Sequence, residues 1–319
     1  MPKPLVSILM PVYNAEKFVA VALTSLLTEQ TTPIEVIVVD DGSTDLSIEQ
    51  VNRLGDDRVH VLYSKHHGIA TALNMALSVA QGRIIMRCDA DDLYPSGRIS
   101  DQVEWLSSHP EFGAVCGNFA MVDPRGKLVL TMSCGDEPSE ITRELHNGVT
   151  RTHLGTYAIN ADVLKAIGGF RTYFRSGEDI DLQLRIAEVC RVWYQPLVRY
   201  HYRLHRTSLT HTMNSGEREF FDTIARTFCH QRRDRGSDDL QQGCPPTAPR
   251  SQIVLNANKH IQGLLFGRSW QEHASGRKLK AVVTGLHALW LHPQNLAAWR
   301  NVIALILKRT NANTKPSNL

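Results

Sequence analysis

At 319 residues, 42% hydrophobic and 21% charged, the chain has ordinary globular composition and the length for one large domain with a helical annex. Its six cysteines are scattered without a CxxC pair, so none supplies half of a zinc site, and reduced thiols of a cytosolic compartment are the plain reading. The net charge of +3 hides an asymmetry: residues 251–319 hold nine Lys or Arg and one acid, Glu272, giving +8 against −5 for the rest.

The start, Met1-Pro2-Lys3-Pro4, enters a strand-like run directly, so no secretion leader is expected, and no segment approaches the roughly 20 apolar residues of a spanning helix. Up to about residue 110, short β-branched runs alternate with helical periodicity. Strands are expected at 6–10, 34–39, 59–63 and 83–87, and helices over 19–27, 48–54 and 69–80. Strand, helix, strand repeated this way means a mainly parallel sheet with helices on its faces. Gly82 sits where a helix end would need a left-handed residue. Further on, 114–122 and 128–132 flank Asp123-Pro-Arg-Gly-Lys127, which reads as a hairpin turn. A helix is expected from 178 to 190, then strands at 192–194 and 198–202. The expected organisation is a catalytic domain over 1–234, a Gly- and Pro-rich linker or exposed loop over 235–250, and a basic helical extension over 251–319 with two or three helices.

Ligands of a parallel sheet gather beyond the carboxyl ends of its strands. Four features fall there: Pro11-Val12-Tyr13-Asn14, Asp40-Asp41-Gly42-Ser43, Gly68, and Asp89-Ala90-Asp91-Asp92. An Asp-Gly turn is also ordinary turn chemistry. The acidic cluster is more informative, because three carboxylates within four residues repel one another unless a cation or solvent offsets them. Mg2+ and Mn2+ take oxygen ligands and complete their shells with substrate phosphates, which suits such a cluster. A Walker-type phosphate loop is missing from the sequence.

In order along the chain stand VSILMPVYN (6–14), EVIVVDDGSTD (35–45), GIATALN (68–74), GRIIMRCDADD (82–92), Gly168-Gly169-Phe170, GEDIDLQLR (177–185) and YRLHRTS (202–208). Over about residues 5–210 the chain therefore resembles glycosyltransferase family 2, whose members share the α/β GT-A fold. The resemblance implies an inverting transfer of sugar from a nucleotide-diphosphate donor, UDP-linked by preference, to an acceptor hydroxyl, in polysaccharide or glycoconjugate synthesis. It places Pro11, Tyr13 and Asp41 in the nucleotide pocket, with Asp41 accepting from a base edge, and adds Gly68 and Asn74. It puts Asp89 at the ribose or in loop ordering, and Asp91, shared with or replaced by Asp92, on the metal. Asp179 matches the catalytic base; an ordinary Asp is ionised at neutral pH and needs only placement to act. Arg203 is expected at the diphosphate and His205 as a metal or phosphate ligand. Leu73 departs from the pattern, standing where many members carry Arg.

Two other readings stand beside this one. DxD also opens phosphatases that use an Asp nucleophile, but there it follows the first strand and here the fourth. A non-catalytic scaffold that binds sugar nucleotides has no use for a base at Asp179. The implied acceptor is carbohydrate or lipid-linked. In the extension, Trp290, Trp299 and the run 302–307, beside Arg300, Lys308 and Arg309, fit either a helix lying on an anionic membrane surface or one packed on the catalytic domain. No nucleic-acid module accompanies the charge. The expected location is the cytoplasm, including the cytoplasmic face of the membrane.

Overall fold

A computed structural model describes residues 3–132, 134–205, 215–248 and 257–308. They form two compact units, one of Met1–Val122, Thr131–Arg203 and Gly216–Arg250, the other of Asp123–Leu130, Leu204–Ser215 and Ser251–Leu319.

In the first unit, β1 (Val6–Val12), β2 (Ile34–Asp40), β3 (Val59–Tyr63) and β4 (Ile84–Arg87) are parallel in the order β3-β2-β1-β4. The intervening helices are α1 (Val19–Leu27), α2 (Ser47–Arg53) and α3 (Ile69–Val79). These strands read as continuous apolar runs because both faces are covered. Alternate residues divide between two layers: Leu9, Ile37, Val39 and Ile85 pack with α3, whereas Ile8, Met10, Val36, Val38 and Met86 pack with α1 and α4 (Arg98–Ser108). Gly82 is needed for a different reason from the one expected: its φ is not left-handed, but a Cβ there would lie 2.5 Å from the backbone N of Ser7, whose hydroxyl accepts the Gly82 N–H.

Beyond β4 the sheet becomes mixed. β8 (Ala158–Asn160) lies antiparallel between β4 and β5 (Phe112–Val122), and β9 (Arg191–Arg203) runs parallel to β5 with β7 (Ser139–Glu140) antiparallel at its other edge. β6 (Leu128–Met132) returns from the turn and pairs with β5. The two strands expected at 192–194 and 198–202 are one strand. The register jumps from Gly117↔Gln195 to Asn118↔Val198, so Pro196, which has no N–H to give the ladder, sits in a bulge. Two short helices, α5 (Thr142–His146) and α6 (Ala161–Ala166), precede α7 (Glu178–Val189), and α8 (Ser215–Arg235) follows β9. The stretch after α8, read as a linker or loop, holds Asp238 fully buried between Arg171 and Arg232, and the Pro246 carbonyl accepts from the Tyr173 hydroxyl.

In the second unit the turn at 123–127 closes as expected, Asp123 Oδ1 accepting from Arg125 N and Lys127 N. Three helices follow: α9 (Ala257–Ala274), α10 (Lys278–Leu291) and α11 (Leu296–Leu307). Ile261, Leu265, Phe266, Leu289 and Val302 form their core. Buried Gln262 ties the α10–α11 connection to α9, donating to Ala288 O and His292 O and accepting from Asn295 Nδ2. No described helix is long and apolar enough to cross a membrane.

Candidate active site

In the β3-β2-β1-β4 order the parallel strands are added on one side of β1 and then on the other, and such a switch point opens a crevice at the strand ends. The loops after β1 and β2 are laced together there: Asn14 Oδ1 accepts Thr44 N at 2.9 Å, and Ser43 Oγ accepts Asn14 N at 3.0 Å. Tyr13 is 47% exposed, and its ring centroid stands 4.4 Å from that of His66. His66 holds a left-handed φ of 56° and its Nδ1–H donates to Asp41 O at 3.1 Å. The two rings are tilted by 36° to one another and both are exposed, so an accessible aromatic pair stands at the mouth of the crevice. His66 was not singled out in the sequence; it stands between matched segments, and no pattern separates a stacking His from a surface one.

Asp41 is buried, and its oxygens accept the backbone N–H groups of His67 at 2.9 Å and Gly68 at 2.8 Å. The residue read as meeting a base edge thus also fixes the loop before α3. Gly68 contributes that amide from a φ of 89°, where only glycine is unstrained. Pro11 lies in β1 opposite Val39. Asn74, read as a nucleotide contact, has both amide atoms engaged elsewhere: Nδ2 donates to Phe170 O at 2.7 Å and Oδ1 accepts Phe170 N at 2.9 Å.

The acidic loop after β4 is built around Arg87. This buried guanidinium donates to both oxygens of Asp89, at 2.7 and 3.1 Å, and to Glu178 Oε1 at 3.1 Å. A bidentate Arg–carboxylate pair is rigid as well as strong. Tyr94 Oη donates to Arg87 O, and Tyr200 Oη accepts Asp89 N. Arg203, expected at the diphosphate, is buried and clamps this loop to β9: its N–H donates to Asp92 Oδ1 at 2.7 Å and its Nε–H to Asp91 O at 2.6 Å.

The three carboxylates therefore differ. Asp89 is paired to Arg87, Asp92 is buried, and Asp91 is partly exposed. Burial first, then the charges of Asp91 and Asp89, push Asp92 well above the usual carboxylate range, and its Oδ2 has no hydrogen-bond partner among the described residues. No three His, Cys, Asp or Glu side chains among the described residues converge as a metal cage. Mg2+ in nucleotide sites commonly uses one or two carboxylates and substrate phosphates, and the donor set here, Asp91 with the orphaned Asp92 oxygen behind it, fits that type. His205 is buried and belongs to the second unit.

Arg87 brings the start of α7 to this loop, although the two motifs lie about 90 residues apart. Gly177 precedes the helix with φ 72°, and Glu178 and Asp179 occupy its first turn, where the exposed amides favour negative charge. Asp179 is partly exposed; Glu178 is buried. Nearby His153 stacks on Tyr200 at 5.2 Å, and its Nδ1 accepts Gly155 N, leaving Nε2 with the proton in the neutral ring. Burial lowers its pKa against the opposing pull of Asp179 and Asp89. No sequence pattern marks His153, because β8 and the turn before it are placed by long-range packing.

Burial pushes Glu178 up to about 7, against the pull of Arg87 and with repulsion from Asp179. Its folded pKa exceeds the ordinary glutamate value of 4.5, so the folded state keeps a proton that the unfolded chain has released between those values. That stabilisation is complete below about pH 4.5 and is lost as pH rises to about 7. Glu178→Gln, measured by urea unfolding from pH 5 to 8, gains stability relative to the parent protein as pH rises. A difference that stays flat with pH removes the assignment.

The chain matches known proteins at several levels. It is 38% identical over 134 residues to an uncharacterized glycosyltransferase of Haemophilus influenzae, covering 40% of this chain and 53% of that one. It is 27% identical over 234 residues to the chondroitin synthase of Pasteurella multocida, covering 72% of this chain and 24% of the synthase. The chain thus spans about half or less of these relatives. The crystal structure of S. aureus TarS 1–349 in complex with UDP-GlcNAc superposes with a TM-score of 0.57 at 17% identity, covering 94% of this chain and 90% of that one, so the fold is the GT-A fold expected. Because the Glycosyl transferase family 2 model matches residues 7–178, more than half of the chain, the protein belongs to glycosyltransferase family 2.

Proposed function

We propose that the protein transfers a sugar from a nucleotide-diphosphate donor, a UDP-sugar by preference, to a hydroxyl of a carbohydrate or lipid-linked acceptor, with inversion at the anomeric carbon, in polysaccharide or glycoconjugate synthesis. The observation that carries the reading is the Arg87 bridge, which ties the acidic loop to the helix turn bearing Asp179. A base and a diphosphate anchor then face one crevice. The TarS complex with UDP-GlcNAc supports the choice of donor class.

In this reading Tyr13 and His66 stack on the base, and the Asp41-ordered loop closes its edge. Asp91, with Asp92 behind it, would hold Mg2+ or Mn2+, which supplies charge to offset the departing diphosphate. Asp89, fixed by Arg87, keeps the loop in position for the ribose. Asp179 accepts the proton of the attacking hydroxyl as the acceptor oxygen bonds to the anomeric carbon and the glycosidic bond to phosphate breaks on the opposite side.

The decisive assay offers UDP-, GDP- and TDP-sugars with free and lipid-linked acceptors, before and after exhaustive chelation. Transfer from one donor class, lost on chelation and restored by Mn2+ or Mg2+, is the expected outcome. Binding of a UDP-sugar without transfer or slow hydrolysis across the whole panel favours a binding scaffold instead, and activity indifferent to chelation removes the metal.

A further inference from the structure

The second unit carries its apolar residues the wrong way round for a helical unit facing water. On α10 the buried positions are small, Ala281, Gly285 and Ala288 with Leu289, whereas Leu279, Val283, Leu286 and Trp290 point outward. The outward residues are three or four apart, which makes them a single stripe along the helix. On α11 the pattern repeats, with Ala298, Val302 and Leu305 inward and Leu296, Trp299, Ile303, Ile306 and Leu307 outward. The exposures are large: 82% for Leu279, 74% for Trp290, 76% for Leu296. Scattered exposed apolar residues need no explanation, but two full stripes on consecutive helices mark a binding surface.

The charges around the stripes say what kind. Residues 257–308 contain seven Lys or Arg and one acid, Glu272. Glu272 is buried and engaged by Arg268, Thr284 and Lys280, so it presents no anion at the surface. Arg277 and Arg300 are exposed beside the stripes, and Lys280, also exposed, pairs with Glu272 at 3.6 Å. A second copy packed on this face about a two-fold axis would set one basic rim against another with no carboxylate to pair it. An anionic bilayer supplies both needs, phosphates for the cations and a headgroup–acyl boundary in which Trp and Leu are favoured.

We propose that this face docks the protein on an anionic lipid bilayer surface, Leu279, Trp290 and Leu296 entering the headgroup region while Arg277 and Arg300 meet the lipid phosphates. The inference makes no use of the transferase reading, so failure of either leaves the other standing.

The test is flotation of the full chain at low salt with vesicles of phosphatidylcholine alone or with about one-third phosphatidylglycerol. The parent protein floats with the mixed vesicles at least about tenfold more than with the neutral ones, loses this in high salt, and shows a blue shift of tryptophan emission on binding. The triple variant L279S/W290S/L296S, altered only at exposed positions, keeps its thermal unfolding and loses flotation about tenfold or more. If that variant unfolds, R277Q/R300Q decides the matter by losing the preference for the mixed vesicles. No flotation of the parent protein, equal flotation with neutral vesicles, or flotation indifferent to both variants overturns the proposal. So does a concentration-dependent dimer, dissolved by the triple variant, in a protein that ignores vesicles.

Discussion

Asp179→Asn reduces sugar transfer about a thousandfold while leaving donor binding within about twofold of the parent protein, within the range that general-base groups contribute. The substitution is nearly isosteric and sits at a partly exposed position in the first turn of α7, so the fold has little to lose. It removes a carboxylate that no ion pair or side-chain hydrogen bond engages among the described residues, unlike its neighbour Glu178, which pairs with Arg87. In the proposed reaction only the step in which the acceptor hydroxyl gives up its proton needs that group. Turnover should therefore fall with the dissociation constant for the nucleotide-sugar unchanged, measured by calorimetry beside an initial-rate assay. Parent-like turnover would sink the base assignment, and a parallel loss of donor affinity would show that Asp179 orders the pocket rather than the proton.

Asp89→Asn is a useful companion because its role differs. Asp89 is paired with Arg87, and losing that charge loosens a guanidinium that also holds Glu178. Donor affinity and turnover should then fall together.

The sequence was most readable where structure is local. Short β-branched runs and helical patterns located β1 to β4 and the helices between them within a residue or two, and the motifs at the strand ends fall together at one edge of the sheet. Roles were harder to read. Asp41, Asn74 and Arg203 carry the types and spacing of ligand contacts, yet the structure gives each a backbone partner: a loop amide pair, the Phe170 peptide, and the acidic loop. A side chain that shapes a pocket and one that touches its ligand are the same letter. Arg87 was readable in principle, since an arginine in an apolar strand two residues before Asp89 lies on the same side of the chain and requires an anion. The antiparallel strand β8 has three residues and no period to detect. In the extension, periodicity announced helices but could not say that Ala and Gly turn inward and Trp and Leu outward, because that choice depends on how closely α10 and α11 approach. A Cβ on Gly285 would lie 2.8 Å from Leu305 Cδ1.

The largest stability effect is expected two residues beyond Asp179, in the same first turn of α7. The Asp181 side chain is fully buried and accepts from Arg171 and, at 2.8 Å, from Arg185 Nε. Arg171 also reaches Asp238, which Arg232 shares, while Arg185 donates to the carbonyls of Ile167 at 2.8 Å and Gly169 at 2.7 Å. A buried network of this kind is weak evidence of net stabilisation, since desolvating its charges is costly; breaking it is another matter. Asp181→Ala strips an anion from between two buried guanidinium groups and is expected to cost about 3–5 kcal/mol, against a total of about 5–15 kcal/mol for a typical domain. Urea unfolding should show the midpoint falling with little change in slope. The loss should also reach the site, because Arg185 and Asn74 together hold the 167–170 turn and Asp181 fixes the helix whose first turn carries Asp179. Transfer by the variant should be near normal in the cold and fail at temperatures the parent protein tolerates. A variant within about 1 kcal/mol of the parent would mean that water or rearranged partners satisfy both arginines, and that α7 is held by its apolar face alone.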